Sequence, residues 1–260
     1  MIRGLYSSAA GMDVQQAKVE SVSNNLANTT TPGYKKEVVQ VKSFPEALLV
    51  QKGGPEIKKE LLSKTKTVGA MGNGALISEV FVNYDPGIVQ ETGSPTDIMI
   101  KGPGFFAVSA PSREDPVRVC FTRNGEFKVD SEGYLVNSSG YRVLGEAGEI
   151  MVGGSEFTIS PDGSIESDGT VLDRLRLAEF DDLGGLRKEA DGIFIDVRGE
   201  ARPASSTTVR QGYLEKSNVN VVDEMAALIG TVRTYEANQR LIQSHDELLA
   251  KAANQVGSLK

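Results

Sequence analysis

The placement of proline constrains this chain more than any other feature. All ten prolines fall between Pro32 and Pro203, so residues 1–31 and 204–260 contain none. Glycine follows the same division: of 28, three lie in 1–40 and two in 214–260, leaving 23 between. Proline clashes inside a helix and removes a backbone donor, glycine weakens helices, and both punctuate short strands. The distribution predicts helix at both ends and a many-stranded β segment between them.

The C-terminal end carries a heptad rhythm. Alternate steps of four and three give Val221, Met225, Leu228, Val232, Tyr235, Gln239, Ile242, Asp246, Leu249, Ala253 and Val256, of which nine are apolar or Tyr. A stripe of this kind is a helix–helix seam. Asn220 suits the N-cap, Asp223 favours the dipole at the helix start, and Gly257 suits the stop. At ~1.5 Å per residue the helix is about 54 Å long. A shorter stripe runs through Ile2, Leu5, Ala9, Met12, Gln16, Val19, Ser23 and Leu26. The two stripes are expected to pair in a coiled-coil-like core domain. One narrow seam supports so long a helix poorly, so its other faces are expected to bury against other molecules.

The middle is dense in turn signals. Asn124-Gly125, between Phe121-Thr122-Arg123 and Glu126-Phe127-Lys128-Val129, predicts a two-residue type I′ hairpin. Further turns are expected at Gly140, at Ser160-Pro161-Asp162-Gly163-Ser164 and at Asp168-Gly169. Alternation such as Phe127/Val129 against Lys128/Asp130 gives one buried and one wet face. The fold class is therefore α+β: long terminal helices with a central antiparallel domain of many short strands. The expected divisions are a helix and turn over 1–34, an extended connector with a few strands over 35–85, a β domain over 86–213, and a helix over 214–260. The connector holds a charged run from Lys58 to Lys66 and a pliable stretch from Gly69 to Gly74.

Several function classes drop out. With a net charge of −7 and no basic block, no nucleic-acid partner is expected. No run of 18 apolar residues spans a bilayer, and no basic start with a continuous apolar run predicts a cleaved signal peptide. The lone Cys120 and lone His245 exclude an internal disulfide and a His-rich metal site. Gly102-Pro103-Gly104-Phe105-Phe106-Ala107 has the letters of a dinucleotide fingerprint, but a strand pattern follows where a helix is required. It reads as a tight bend. Cys120 reads as a small core residue and His245 as part of a solvated helix face. Asp181-Asp182, Glu126 with Asp130, Asp162-Gly163 and Asp168-Gly169 lack the context of acid–base or calcium sites. No catalytic, cofactor or metal residue is expected.

The stretch Ser23-Asn24-Asn25-Leu26-Ala27-Asn28-Thr29-Thr30-Thr31-Pro32-Gly33-Tyr34-Lys35 resembles the N-terminal signature of bacterial flagellar rod and hook proteins. Ser217-Asn218-Val219-Asn220-Val221-Val222-Asp223-Glu224-Met225 resembles the paired signature before their C-terminal helix, continued by Arg233-Thr234-Tyr235-Glu236-Ala237-Asn238. Asp85-Pro86-Gly87, Thr92 to Asp97, Gly102 to Val108 and Phe121 to Phe127 are similar to motifs of the same family, in the same order. The length, with a single β domain, suits the distal rod protein or the proximal rod protein with a β domain. Ser43 to Leu49 resembles the Gram-positive versions.

The resemblance implies a non-enzymatic subunit that passes the flagellar type III export apparatus and polymerises with its own copies and with neighbouring rod and hook proteins. The rod lies outside the cytoplasmic membrane and transmits torque from motor to hook. Asn24, Asn25, Leu26, Ala27, Asn28, Thr31, Pro32, Gly33 and Tyr34 would be assembly residues, together with Asn218 and the C-terminal seam. A rival reading is a secreted β domain that binds or hydrolyses cell wall, with helices as closure. Fast proteolysis of both ends in the monomer favours the subunit, and full protection favours the rival. A nucleotide binder built on Gly102 to Ala107 would require stabilisation by a dinucleotide.

Overall fold

The computed structural model describes residues 2–44, 47–51, 66–71, 74–111, 118–153, 157–167, 169–189 and 192–257. Most of the charged run Lys58 to Lys66, together with Pro45, Glu46, Asn73 and Asp168, lies outside the described residues. The chain separates into two compact units. The helical unit comprises Met1–Asn24, Glu37–Phe81 and Val222–Lys260; the β unit comprises Asn25–Lys36 and Val82–Val221. The backbone thus passes from one unit to the other four times, at 24/25, 36/37, 81/82 and 221/222.

Two helices frame the chain: α1 (Ile2–Ala27) and α2 (Val221–Gly257). Neither is interrupted by proline, and α2 has Asp223 and Glu224 in its first turn, where acids favour the dipole. The helices run antiparallel where they meet: a Cβ on Gly4 would stand 3.0 Å from His245 Nε2, and one on Gly11 would stand 3.1 Å from Asn238 Nδ2. Two strand pairs complete this unit, Glu37–Ser43 with Ala75–Val82 and Ala47–Gln51 with Lys66–Met71. They occupy most of the described residues of the stretch read as connector.

The contact phase of the helices differs from the apolar spacing. On α2 the more buried positions are Glu224, Leu228, Thr231, Tyr235, Asn238, Ile242 and His245, again in steps of four and three. Leu228, Tyr235 and Ile242 belong to the apolar stripe; Val221, Met225, Val232, Gln239, Asp246, Leu249 and Ala253 are exposed, and the Val256 side chain lies outside the described residues. On α1, Val14 and Ser21 are buried with Gly4, Gly11 and Lys18 beside them, while Leu5, Met12 and Val19 are half-buried. The cause is size. Glycines at Gly4 and Gly11 leave room for the long polar groups of His245 and Asn238. His245 is accordingly half-buried rather than on a solvated face, with Nδ1 out of solvent and no partner among the described residues.

The β unit is built on a nine-stranded sheet. Its order is Leu186–Lys188, Ile193–Asp196, Val119–Thr122, Phe105–Ser109, Arg142–Val143, Leu135–Asn137 and Phe127–Val129. Leu177–Glu179 also pairs with Phe105–Ser109, and with Arg202–Pro203 on its other side. Phe105–Ser109 is therefore the branch point, and both its faces are covered. Phe106 and Val108 join one core with Cys120, Phe127 and Leu135; Phe105 and Ala107 join a second with Phe121, Phe180 and Phe194. A strand buried on both faces needs the continuous apolar run found here. The glycine-proline-glycine stretch before it is a bend between strands: the Gly104 amide donates to Thr207 Oγ1 at 3.1 Å.

The expected turns at Gly140, Gly163 and Gly169 join paired strands, with positive φ at each glycine. Asn124-Gly125 does not. Val119–Thr122 and Phe127–Val129 are not paired with each other, and Gly125 lacks the positive φ of a type I′ turn. Its backbone instead lies against Ile98, where any Cβ would collide with the carbonyl, and the Ile98 amide donates to Gly125 O at 2.9 Å. Glycine is required here for close approach, not for a hairpin.

Candidate functional site

Three sequence motifs far apart in the chain converge inside the β unit. The first is the signature that follows α1. The Thr29 hydroxyl donates to the carbonyls of Asn25 (3.2 Å) and Leu26 (2.9 Å), so a threonine closes the open carbonyls of the helix end. Thr31 Oγ1 donates to Asn28 Oδ1 at 3.2 Å, and Gly33 takes a φ of +66°, which turns the chain. Asn25 and Tyr34 are buried together, the Tyr34 hydroxyl donating to Asn25 Oδ1 at 3.1 Å. Asn24 and Ala27 are exposed; Leu26, Asn28, Thr31 and Pro32 are half-buried.

The second motif is the turn at Asp85-Pro86-Gly87, and the third is the strand Tyr213–Glu215 with Ser217 and Asn218 after it. Asn218 clamps all three. Its Oδ1 accepts the Lys36 amide at 2.8 Å, and its Nδ2 donates to the carbonyls of Asn83 (2.9 Å) and Asp85 (3.0 Å). The Gly33 amide donates to the Glu215 carbonyl at 2.7 Å. A Cβ at Gly87 would collide with the Lys216 carbonyl, so the turn depends on glycine.

A buried charge cluster lies at the centre. Lys35 is 1%, Glu215 5% and Arg123 8% exposed. Lys35 Nζ sits 2.6 Å from Glu215 Oε1 and donates to the Asp85 carbonyl at 2.9 Å. Glu215 Oε1 also accepts the Gly87 amide at 2.9 Å, and Oε2 stands 3.6 Å from Arg123 Nη1. Arg123 Nη2 donates to the Gly102 carbonyl at 2.7 Å, and its guanidinium lies 4.9 Å from the centre of the Phe105 ring. Burial pushes the Lys35 ammonium below the usual lysine range, with Glu215 opposing the shift; the Arg123 guanidinium is lowered in the same way. Lys188 closes the cluster, its Nζ 3.8 Å from the centre of the Tyr34 ring.

Such a cluster is a joint between segments. The carboxylate is saturated by an ammonium, an amide and a guanidinium, and no group of three or more His, Cys, Asp or Glu capable of holding a metal occurs among the described residues. It holds segments together. Lys35 and Asn218 carry a sequence signal, as members of the two signatures. Arg123 lies within the Phe121 to Phe127 motif, whereas Glu215 carries no signal that distinguishes it from a surface charge.

Comparison with known proteins gives this joint its context. A family model described as flagella basal body rod protein matches residues 5–35, ending on Lys35. The flagellar hook protein FlgE/F/G D1 domain matches 99–171, and the flagellar basal body rod FlgEFG protein C-terminal matches 210–256. The chain is 31% identical to the flagellar basal-body rod protein FlgG of Borreliella burgdorferi, over 98% of each chain. The chain belongs to the flagellar basal-body rod protein family. Rod proteins FlgG of Buchnera aphidicola (30% identity, 96% of this chain and 98% of the other) and Bacillus subtilis (28%, 98% and 99%) align along nearly the same length. Lys35 is the last residue of the first outer match and Glu215 lies near the start of the second, so the pair joins the two outer stretches of rod-protein homology.

Proposed function

We propose that this chain is a structural subunit of the flagellar rod that polymerises, through its terminal helices, into a helical tube transmitting torque from motor to hook. Full-length similarity to FlgG-type rod proteins supports the rod assignment and favours the distal position. The observation that carries the mode of assembly is the outer face of α2. Val221, Val222, Met225, Ile229 and Val232 are exposed in its first turns. A helix with one half-buried seam and a second, uncovered apolar face is built to be covered by neighbours. A face that meets a different face of the next copy does not close on itself, so stacking propagates as a helix.

In this reading the two helices form a coiled-coil-like inner layer, and the 86–213 domain lies outside it. The seam from Val221 to Val256 and the signature from Asn24 to Tyr34 serve assembly, the latter by fixing where the chain leaves α1. A lone buried Cys120 suits passage unfolded through an export channel to the zone outside the cytoplasmic membrane. The partners are its own copies and the neighbouring rod and hook proteins. Deleting residues 221–260 should leave the β unit folded by circular dichroism and yet abolish rod assembly. Restored motility by that truncated protein would refute the proposal.

A further inference from the structure

Two buried cations share one carboxylate in the signature cluster. Among the described residues, Glu215 is the one carboxylate within ion-pair distance of Lys35 (2.6 Å) or Arg123 (3.6 Å). The partners are unequal in origin. Arg123 belongs to the β unit's own sheet region, held to the Gly102 carbonyl, whereas Lys35 arrives on the segment that follows α1. Glu215 lies 180 residues after Lys35.

Segment Gly33–Lys36 is bound into the unit by contacts that converge on the C-terminal stretch. Gly33 donates to the Glu215 carbonyl, Lys35 to the Glu215 carboxylate, and Lys36 to Asn218. The Lys36 carbonyl accepts the Asn83 amide, in a turn that Glu215 and Asn218 themselves hold through Gly87, Asn83 and Asp85. We propose that Glu215 and Asn218 act as a completion latch: the N-terminal signature docks on the β unit only once the stretch Tyr213–Asn218 is in place.

The electrostatics set the sign. Without Glu215, docking Lys35 would bury a second cation beside Arg123 with no ion-paired carboxylate and only the more distant Asp85 charge to offset it, which costs more than the docked state gains from one carbonyl contact. Burial already depresses the Lys35 ammonium with the carboxylate present, so the docked segment has little reserve. Releasing four residues is easier than opening a core that contains Phe105, Phe106 and Phe194, so the segment leaves and the sheet stays. The way the chain leaves α1 then reports that folding has reached residue 218. This concerns one subunit and stands or falls separately from the proposed assembly.

The test is hydrogen–deuterium exchange on the full-length chain. Glu215→Gln, and separately Asn218→Ala, should speed exchange of the Gly33, Tyr34 and Lys36 amides by about tenfold or more, with Phe105–Ser109 and Val119–Thr122 at the unmutated rate. The double variant Lys35→Met with Glu215→Gln should exchange more slowly at these amides than Glu215→Gln alone. Unchanged rates at 33–36 would overturn the latch, and so would equal acceleration throughout the sheet or a double variant no slower than the single. If Glu215→Gln fails to fold, Asn218→Ala, which removes no charge, decides the question.

Discussion

Replacing the outer face of α2 separates assembly from folding. The substitutions are Val222→Gln, Met225→Gln, Ile229→Gln and Val232→Gln, all compatible with helix. These side chains are 73%, 51%, 54% and 38% exposed, so together they leave about two whole apolar side chains uncovered in the single subunit. Covering that area in a neighbour is worth roughly 3–6 kcal/mol, at ~1.5–3 kcal/mol per side chain. Losing it should raise the concentration needed for self-association by about 10²–10⁴-fold, at ~1.4 kcal/mol per decade. Sedimentation velocity across a concentration series measures this directly, and swarming of cells that carry the variant measures it in place. The thermal midpoint of the β unit should not move, because none of the four belongs to either of its cores. The matching set on the inner seam, Leu228→Ala, Tyr235→Ala and Ile242→Ala, should instead lower helix content before any association is tested. Unimpaired association of the outer-face variant would refute the reasoning.

Two further outcomes follow from single residues. Gly33→Ala should cost clearly more than about 1 kcal/mol in urea denaturation, because the site combines a φ of +66° with collision against the Arg123 backbone; Gly93→Ala, at φ +71° in open space, should cost less, and equal costs would exclude the close approach as the cause. Burial pushes the Tyr84 hydroxyl from 10.0 up to about 12, so the folded chain keeps a proton that the unfolded chain releases; this stability is complete below pH 10 and is lost as pH rises towards 12. Tyrosinate absorbance should show a late-titrating component, and Tyr84→Phe should remove it and flatten the alkaline loss of stability.

The helices were legible because proline and glycine placement acts locally: the stripe from Val221 to Val256 lies within the observed Val221–Gly257. Turns at Gly140, Gly163 and Gly169 were legible for the same reason, each needing a positive φ. Asn124-Gly125 misled because the same dipeptide serves close approach to Ile98, a contact set by a strand 27 residues earlier in sequence. The phase of α2 was hidden because apolar spacing records every face that is ever covered, including those that face solvent in one subunit. Asn238 and His245 enter the contact because the opposing helix supplies glycines, which no pattern on α2 can reveal. The signature cluster was half visible. Its recognisable letters include Lys35, Asn218 and, within the Phe121 to Phe127 motif, Arg123, whereas Glu215 gains meaning only through Lys35 and Arg123, 180 and 92 residues away along the chain.

The four crossings between the units bear on how such a molecule carries load. A pair of bodies joined by one tether parts when that tether is cut or stretched. Here no single backbone scission disconnects them, and a pull that separates them must draw on four covalent strands at once. For a part that turns under repeated stress inside a machine, wiring of this kind divides the load among four backbone connections, each anchored by the packing of the unit it enters.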